Sequence, residues 1–302
     1  MSLGEFSIID EFFTRVGAPR SDVVLGVGDD GALLVPLDDH RLVTATRTLH
    51  LSGPSLPDPS VLARSLVAGA AMEVALQGAR PAWLTLVLTL PEADASWLAG
   101  FRQGLDGITE HLDLALVGGD TTRGPWRITV IAHGQRPDAL PVPPAPTAGD
   151  MVYVTGHLGA HGLALLDRHG EIQLPRAARE QAYAALEDEQ PPVEGALALA
   201  ATASTVATLE DGLTNALHIL LAPRDLGVTI YSDNLPMAPE LAPYLDWVGG
   251  REFLLQASSG LGLVIVAPAP QQAQVEARMA AHGLAATWVG LVERQTGVRR
   301  GD

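Results

Sequence analysis

The sequence predicts an α/β (α+β) protein of two domains, and three observations carry this. Helical and strand patterns alternate through both halves of the chain. At roughly 100–200 residues per domain, 302 residues suffice for two buried cores. Between the halves, Pro137, Pro141, Pro143, Pro144 and Pro146 crowd together, a composition suited to a linker. The expected domains are therefore residues 1–137 and 148–302.

In the first half, Phe6, Ile9, Phe13 and Val16 recur at helical spacing. Asp22 to Val27 and Arg41 to Thr46 have strand patterns. Ser60 to Gln77 predicts a helix with Ser60 as N-cap. A strand follows at Ala82 to Leu90, then a helix within Pro91 to Leu112. Leu114 to Val117 predicts a short strand ending in a Gly118-Gly119 turn, and Trp126 to Gly134 another strand.

In the second half, strands are expected at Asp150 to Thr155, Gly227 to Ser232, Phe253 to Ala257, Leu263 to Ala267 and, last, Ala285 to Val292. Helices are expected at Leu158 to Asp167, Arg176 to Leu186, Asp211 to Leu221 and Gln271 to His282, with a break at Gln190-Pro191-Pro192. No short-period repeat is visible.

Composition narrows the chemistry. There are 35 acidic residues against 19 basic ones, for a formal charge of −16, and every basic residue is arginine. So acidic a chain, without a basic run, does not suit nucleic acid or an anionic membrane. With no lysine, a Schiff base, a lysine nucleophile and a P-loop lysine are excluded. With no cysteine, thiol catalysis, disulfides and thiolate metal sites are excluded. Apolar stretches such as Leu261 to Pro270 fall short of the ~18 residues that spanning requires. Met1 to Arg15 has acids and no basic n-region, so a signal peptide is not expected and the expected location is cytoplasmic.

Several segments could carry chemistry. Gly26 to Gly31 spells G-x-G-x-x-G, but Asp29 and Asp30 would face a pyrophosphate, and Ala32 to Pro36 opens no helix. Adjacent aspartates in a glycine turn suit a divalent cation, though taken alone they read first as an ordinary Asp-Asp turn. Gly118 to Pro125 (GGDTTRGP) packs N–H groups, hydroxyls, a carboxylate and a guanidinium behind an apolar strand, which suits phosphate together with Mg²⁺. Glu73 sits in a nearly all-apolar helix, where a carboxylate either finds a cation or snorkels to water. Glu210-Asp211-Gly212 and Gly249 to Glu252 say little alone. His157 and His161 are spaced i, i+4 and are expected to be ordinary helix-face residues.

Taken in order, these segments resemble the thiamine-monophosphate kinase family of the PurM-like (aminoimidazole-ribonucleotide-synthetase) superfamily. The residues that carry it are Gly4-Glu5-Phe6, Gly26 to Asp30 with Ala32-Leu33-Leu34, Gly78 to Pro81, Gly118 to Pro125, Val152 to Gly156, Asp211 to Leu213 and Gly249-Gly250. The resemblance implies a two-domain PurM-like fold, with an N-terminal sheet-and-helix domain that dimerises through its sheet and a C-terminal α/β domain. It implies a homodimer that binds ATP near the dimer-facing cleft, with Mg²⁺, and phosphorylates thiamine monophosphate. Asp29, Asp30, Glu73, Asp120 and Asp211 are then the metal candidates, with Thr46 a further oxygen donor. Gly119, Asp120, Thr121 and Thr122 cradle phosphate. No side chain is expected to act as a covalent catalyst, because phosphoryl transfer needs positioning and charge neutralisation.

The departures from the family pattern gather at these positions. Arg47 stands where a metal-binding acid is expected, and Glu73 where an aspartate is. Thr208 and Glu210 replace an acid and a serine, and Arg251 replaces an acid. A guanidinium at Arg47 would repel Mg²⁺ and could pair with carboxylates in its place, or it could point to solvent from a shifted strand. Two activities fit this pattern: a kinase with fewer metal sites, or a catalytically impaired homologue that binds a nucleotide or other ligand or serves as a dimeric structural protein. Another reaction on the same fold is a third possibility, for which no residue selects a substrate.

Overall fold

The structure is a computed structural model and describes residues 5–28, 31–51, 56–187 and 189–301. The chain divides into two units, Met1–Leu140 and Pro141–Asp302.

In the first unit, α1 (Glu5–Ile8) runs into a π-helical turn, Ile9–Phe13, which buries Phe12 and Phe13. A small hairpin, β1 (Val23–Leu25) with β2 (Leu33–Leu34), follows. Then come β3 (His40–His50), α2 (Pro59–Leu76), β4 (Arg80–Leu90), α3 (Ala95–His111), β5 (Ala115–Arg123) and β6 (Arg127–Pro137). The four long strands form one sheet in the order β3-β6-β4-β5. Only β4 and β5 run parallel, joined by the α3 crossover.

Both helices start on an aspartate. Asp58 accepts hydrogen bonds from the Ser60 and Val61 N–H groups, so Asp58 is the N-cap of α2 and Ser60 lies inside the helix, with Pro59 before it. Asp94 caps α3 in the same way through Ser96 and Trp97. Small residues let α2 sit close: Ala63, Ala70, Ala71 and Ala75 are fully buried, and a Cβ on Gly104 of α3 would overlap the Ser60 backbone. By length and hydropathy α2 could cross a membrane, which inspection of shorter apolar runs overlooks, but 61% of it is buried inside the protein. It is a core helix.

Strand alternation gives the sheet two different faces. Leu84, Leu86, Leu88, Ile128, Val130 and Ala132 are buried on the face covered by the helices. On the other face Thr44, Thr46 and Thr48 are exposed. It is lined by hydroxyl and imidazole contacts: Thr48 to Thr129 at 2.8 Å, Thr44 to His133 at 3.1 Å and Thr85 to His133 at 3.3 Å. Burial holds the His133 imidazole below its usual pKa.

The second unit runs β7 (Met151–Thr155), α4 (Ala160–Arg168), α5 (Arg176–Glu187), α6 (Val193–Leu199), β8 (Thr205–Thr208), α7 (Leu213–Leu221), β9 (Gly227–Tyr231), α8 (Glu252–Gln256), β10 (Leu263–Ala267), α9 (Gln272–Ala281), β11 (Ala286–Glu293) and β12 (Gly297–Gly301). Its sheet has the order β12-β9-β11-β7-β10-β8, antiparallel except for β12 with β9. All five residues of β10 are buried, as befits an inner strand covered on both faces.

Several elements differ from expectation. Phe253 to Ala257 is not a strand but the helix α8, in which Leu254 and Leu255 are buried and Ala257 N donates to Phe253 O. A short apolar run has no period long enough to decide, and the left-handed Gly249 and Gly250 (φ +92° and +71°) turn the chain so that it coils beside α7. Ser-Thr-Val-Ala-Thr and Gly-Val-Arg-Arg-Gly carry weak strand signals, yet β8 and β12 are edge strands held by β10 and β9. β5 also differs: it continues through the expected turn as far as Arg123.

Candidate functional site

The segment Gly118 to Arg123 is strand, not a turn. It pairs in parallel with β4, with Leu86 opposite Gly119, Val87 opposite Asp120 and Thr89 opposite Thr122. Glycine is required at 119 by close approach, since a Cβ there would overlap the Leu86 carbonyl oxygen. The reversal comes later, at Gly124-Pro125, where Gly124 N donates to Leu90 O. Because β5 is an edge strand, its outer backbone N–H groups have no partner within this sheet. Any phosphate cradle here is a strand edge carrying Asp120, Thr121 and Thr122. The Thr89 and Thr122 hydroxyls lie 3.1 Å apart and set the row beside Asp120.

On the helix-covered face, Arg47 Nε lies 3.0 Å from Glu73 Oε1. The Arg47 side chain is 25% exposed and its guanidinium lies over Gly69 of α2, where a Cβ would overlap Nη1. Arg47 therefore does not point away to solvent. The carboxylate in the apolar helix has found a cation, and that cation is a side chain.

Register also separates residues that the sequence groups together. Thr46 and Asp120 share the open face by alternation, but β6 and β4 lie between their strands. Three strand spacings are about 14 Å. Arg47 and Glu73 lie on the opposite face, so a pairing of Arg47 with Asp120 is ruled out within one sheet. Asp29 and Asp30 lie outside the described residues. Among the described residues, no three His, Asp or Glu side chains stand close enough to share a metal ion.

In the second unit, Asp211 is exposed just before α7, and Gly212 (φ +82°) fits where a Cβ would overlap Gln256 O. Thr208 donates to Glu210 at 3.1 Å. Arg251 donates to Ser232 O at 2.6 Å and pairs with Asp233 at 2.9 Å, while Glu252 pairs with Arg300. The replaced residues thus have local partners. His157 precedes α4 and does not share its face, while His161 is buried and bonds Ala185 O at 2.7 Å.

One residue escaped the sequence reading. Glu189 accepts from Leu261 N at 2.6 Å and lies 3.8 Å from His161. Burial, with a smaller push from the nearby Glu210 charge, raises its carboxyl to about 8. Burial holds His161 below its usual range. In an Asp-Glu-Gln run before two prolines, Glu189 looks like an ordinary solvated acid, and nothing local marks it out. A groove of 720 Å³ between α5 and the Pro239–Val248 segment is lined by alanines, prolines, Gln181 and Tyr244, and none of its lining residues is charged.

Two family models match the chain. The AIR synthase related protein N-terminal domain covers residues 28–135, and the corresponding C-terminal domain covers 147–301. The thiamine-monophosphate kinase of Escherichia coli (strain K12) is 33% identical over 295 residues, which is 96% of this chain and 90% of that one. That of Haemophilus influenzae is 28% identical over 305 residues, 98% and 92% of the two chains. The crystal structure of thiamine-monophosphate kinase from Stenotrophomonas maltophilia K279a superposes with a TM-score of 0.84 at 31% identity, covering 99% of this chain and 97% of that one. A structure described as AaThiL complexed with AMPPCP and TMP shares the fold, with a TM-score of 0.75, 23% identity and coverage of 99% and 95%.

Proposed function

The chain belongs to the thiamine-monophosphate kinases of the AIR synthase related family, and from that premise we propose that it transfers the γ-phosphoryl group of ATP to thiamine monophosphate, giving thiamine diphosphate. The observation that carries this reading is the complete Gly118 to Pro125 octet, on a strand edge that presents Asp120 and Thr122 side by side on the open face. Relatives with nearly full-length similarity are thiamine-monophosphate kinases, and one solved relative is described as holding AMPPCP and TMP.

In this reading the protein works by positioning and neutralising charge. The outer edge of β5 and its threonine hydroxyls receive phosphate oxygens. Arg47 is a fixed cation that neutralises Glu73. A bound Mg²⁺ would supply charge neutralisation for the phosphates. Among the described residues the carboxylates do not by themselves form a cluster for it; Asp29, Asp30 and Asp120 of the first unit are its proposed contacts, and Asp211 of the second unit is proposed for a further ion. The protein acts as a cytoplasmic homodimer. The uncovered sheet face, with Leu42 exposed beside Thr44, Thr46 and Thr48, is the surface proposed for a second copy.

A second reading is favoured by the Arg47–Glu73 pair, which engages a carboxylate otherwise available to a metal. In that reading the chain is an impaired homologue that binds ligand without turnover. A product assay at enzyme concentrations near those of substrate separates the two. Thiamine diphosphate formed from ATP and thiamine monophosphate supports the kinase; its absence, with the protein folded and ATP bound, leaves the binding protein. Light scattering tests the dimer independently.

A further inference from the structure

In the second unit, the loop 258–262 between α8 and β10 is fastened from several sides. Gly162 N of α4 donates to Ser258 O at 3.0 Å, and Gly159 N donates to the Ser259 hydroxyl at 3.0 Å. Ser259 N donates to Leu209 O at 3.0 Å, and Leu209 N donates to Gly262 O at 2.8 Å. Glu189, from the connection between α5 and α6, accepts Leu261 N at 2.6 Å. Its carboxyl and the His161 ring lie against the loop backbone, since a Cβ on Gly260 would overlap both. The loop is also bound to the turn that carries Asp211. Leu209 O accepts from Ser259 N and from Gly212 N, so loop and turn share one acceptor.

The groups around Glu189 decide how well its charge is tolerated. His161 of α4 lies 3.8 Å away. Its Nε2 is 2.7 Å from Ala185 O, which only accepts, so Nε2 carries the ring proton, and burial favours the neutral ring. Glu210, in the turn after β8, adds a second negative charge. Glu187 is turned to Arg168, and Asp188 lies outside the described residues. Among the described residues no arginine pairs with Glu189. An ionised Glu189 in the closed loop therefore has the Leu261 N–H in its favour, against burial and Glu210. The balance goes against the charge, and the carboxyl titrates at about 8. Opening the loop lets water reach the carboxyl and relieves both costs.

We infer that Glu189 is a proton-dependent clasp: protonated, it holds the loop 258–262 closed on the turn 209–212, and on losing its proton it releases the loop. The clasp lies within the second unit and stands whether or not the chain is a kinase. A proton shifts this equilibrium only through its different affinity for the closed and open forms. The closed form titrates at about 8 and the open one near the ordinary 4.5. Opening therefore rises about tenfold per pH unit up to pH 8 and is level above it.

The test is deuterium exchange of the full chain, read by mass spectrometry from pH 6 to 9 and corrected for the intrinsic pH dependence of amide exchange. Peptides covering 257–262 and 208–213 are compared with one covering β7, in wild type and in Glu189→Gln. In wild type the loop peptide is expected to exchange faster than β7. Its protection falls about tenfold per unit from pH 6 to 8 and then levels, and the 208–213 peptide follows. In Glu189→Gln an acceptor for Leu261 N remains, and loop protection does not change with pH. Loop protection independent of pH in wild type overturns the inference, whatever the variant does. So does a loop that exchanges only as fast as β7, which reports global unfolding. A slope retained in folded Glu189→Gln, or constant protection at 208–213, also overturns it.

Discussion

Arg47 on β3 and Glu73 on α2 form an ion pair of 3.0 Å, and the guanidinium lies over Gly69, where a Cβ would overlap it. The pair ties the helix to the sheet. Both side chains are partly solvated, so the pair contributes on the order of 1 kcal/mol or less.

Gly69 and Arg47 are therefore coupled. In the wild-type background Gly69→Ala displaces the guanidinium and is expected to destabilise. In an Arg47→Ala background the same change relieves the helix of a glycine and is expected to stabilise by about 0.5–1 kcal/mol. A double-mutant cycle by urea unfolding checks this, and additive effects would exclude the contact.

Gly119→Ala meets backbone and not a movable side chain, because the new Cβ falls on the Leu86 carbonyl. The edge strand must part from β4 at Asp120. A loss of about 1–3 kcal/mol is expected, with phosphoryl transfer falling further than stability. Melting temperature and the product assay, measured on the same preparation, show whether activity falls more than folding.

Glu189 makes stability fall as pH rises. Its carboxyl titrates at about 8 in the folded chain, against an ordinary carboxylate value of 4.5 in the unfolded one. Between those values the folded state holds the extra proton, so unfolding stability declines with pH across that window and is level above it. Glu189→Gln keeps an acceptor for Leu261 N and removes the charge. It is expected to flatten this part of the profile and to be the more stable protein near pH 8, by on the order of 2 kcal/mol. Chemical denaturation from pH 5 to 9 tests it, and parallel profiles would show that Glu189 is ionised throughout.

At the start of α2, Asp58→Ala removes the acceptor of two N–H groups and is expected to cost about 1 kcal/mol, while Ser60→Ala, inside the helix, costs a few tenths. Equal losses in thermal unfolding would contradict the capping assignment. The sequence marks this helix well, because its signals are local. It names the wrong cap because Asp58 and Ser60 are both good capping residues, and only backbone geometry chooses between them.

The same division runs through the whole chain. Alternating helix and strand patterns, the octet at Gly118 to Pro125 and the odd arginine at 47 are legible from neighbouring residues and from a family pattern. So are α2, β4 and β10, to within a few residues, because their periodicity lies in consecutive side chains. Phe253 to Ala257 is too short for any period to decide, and β12 is a strand only because β9 lies beside it.

Tertiary structure alone decided what the chemical groups meet. Arg47 and Glu73 are distant in sequence, and whether they touch depends on the rotation of α2 over the sheet. Whether Thr46 and Asp120 share a site depends on strand order, which puts two strands between them. Glu189 became unusual only when folding buried most of its side chain. Local patterns follow from bonded neighbours and are written in order along the chain. Ion pairs, registers and desolvation belong to pairs of segments, and they exist only once those segments have packed.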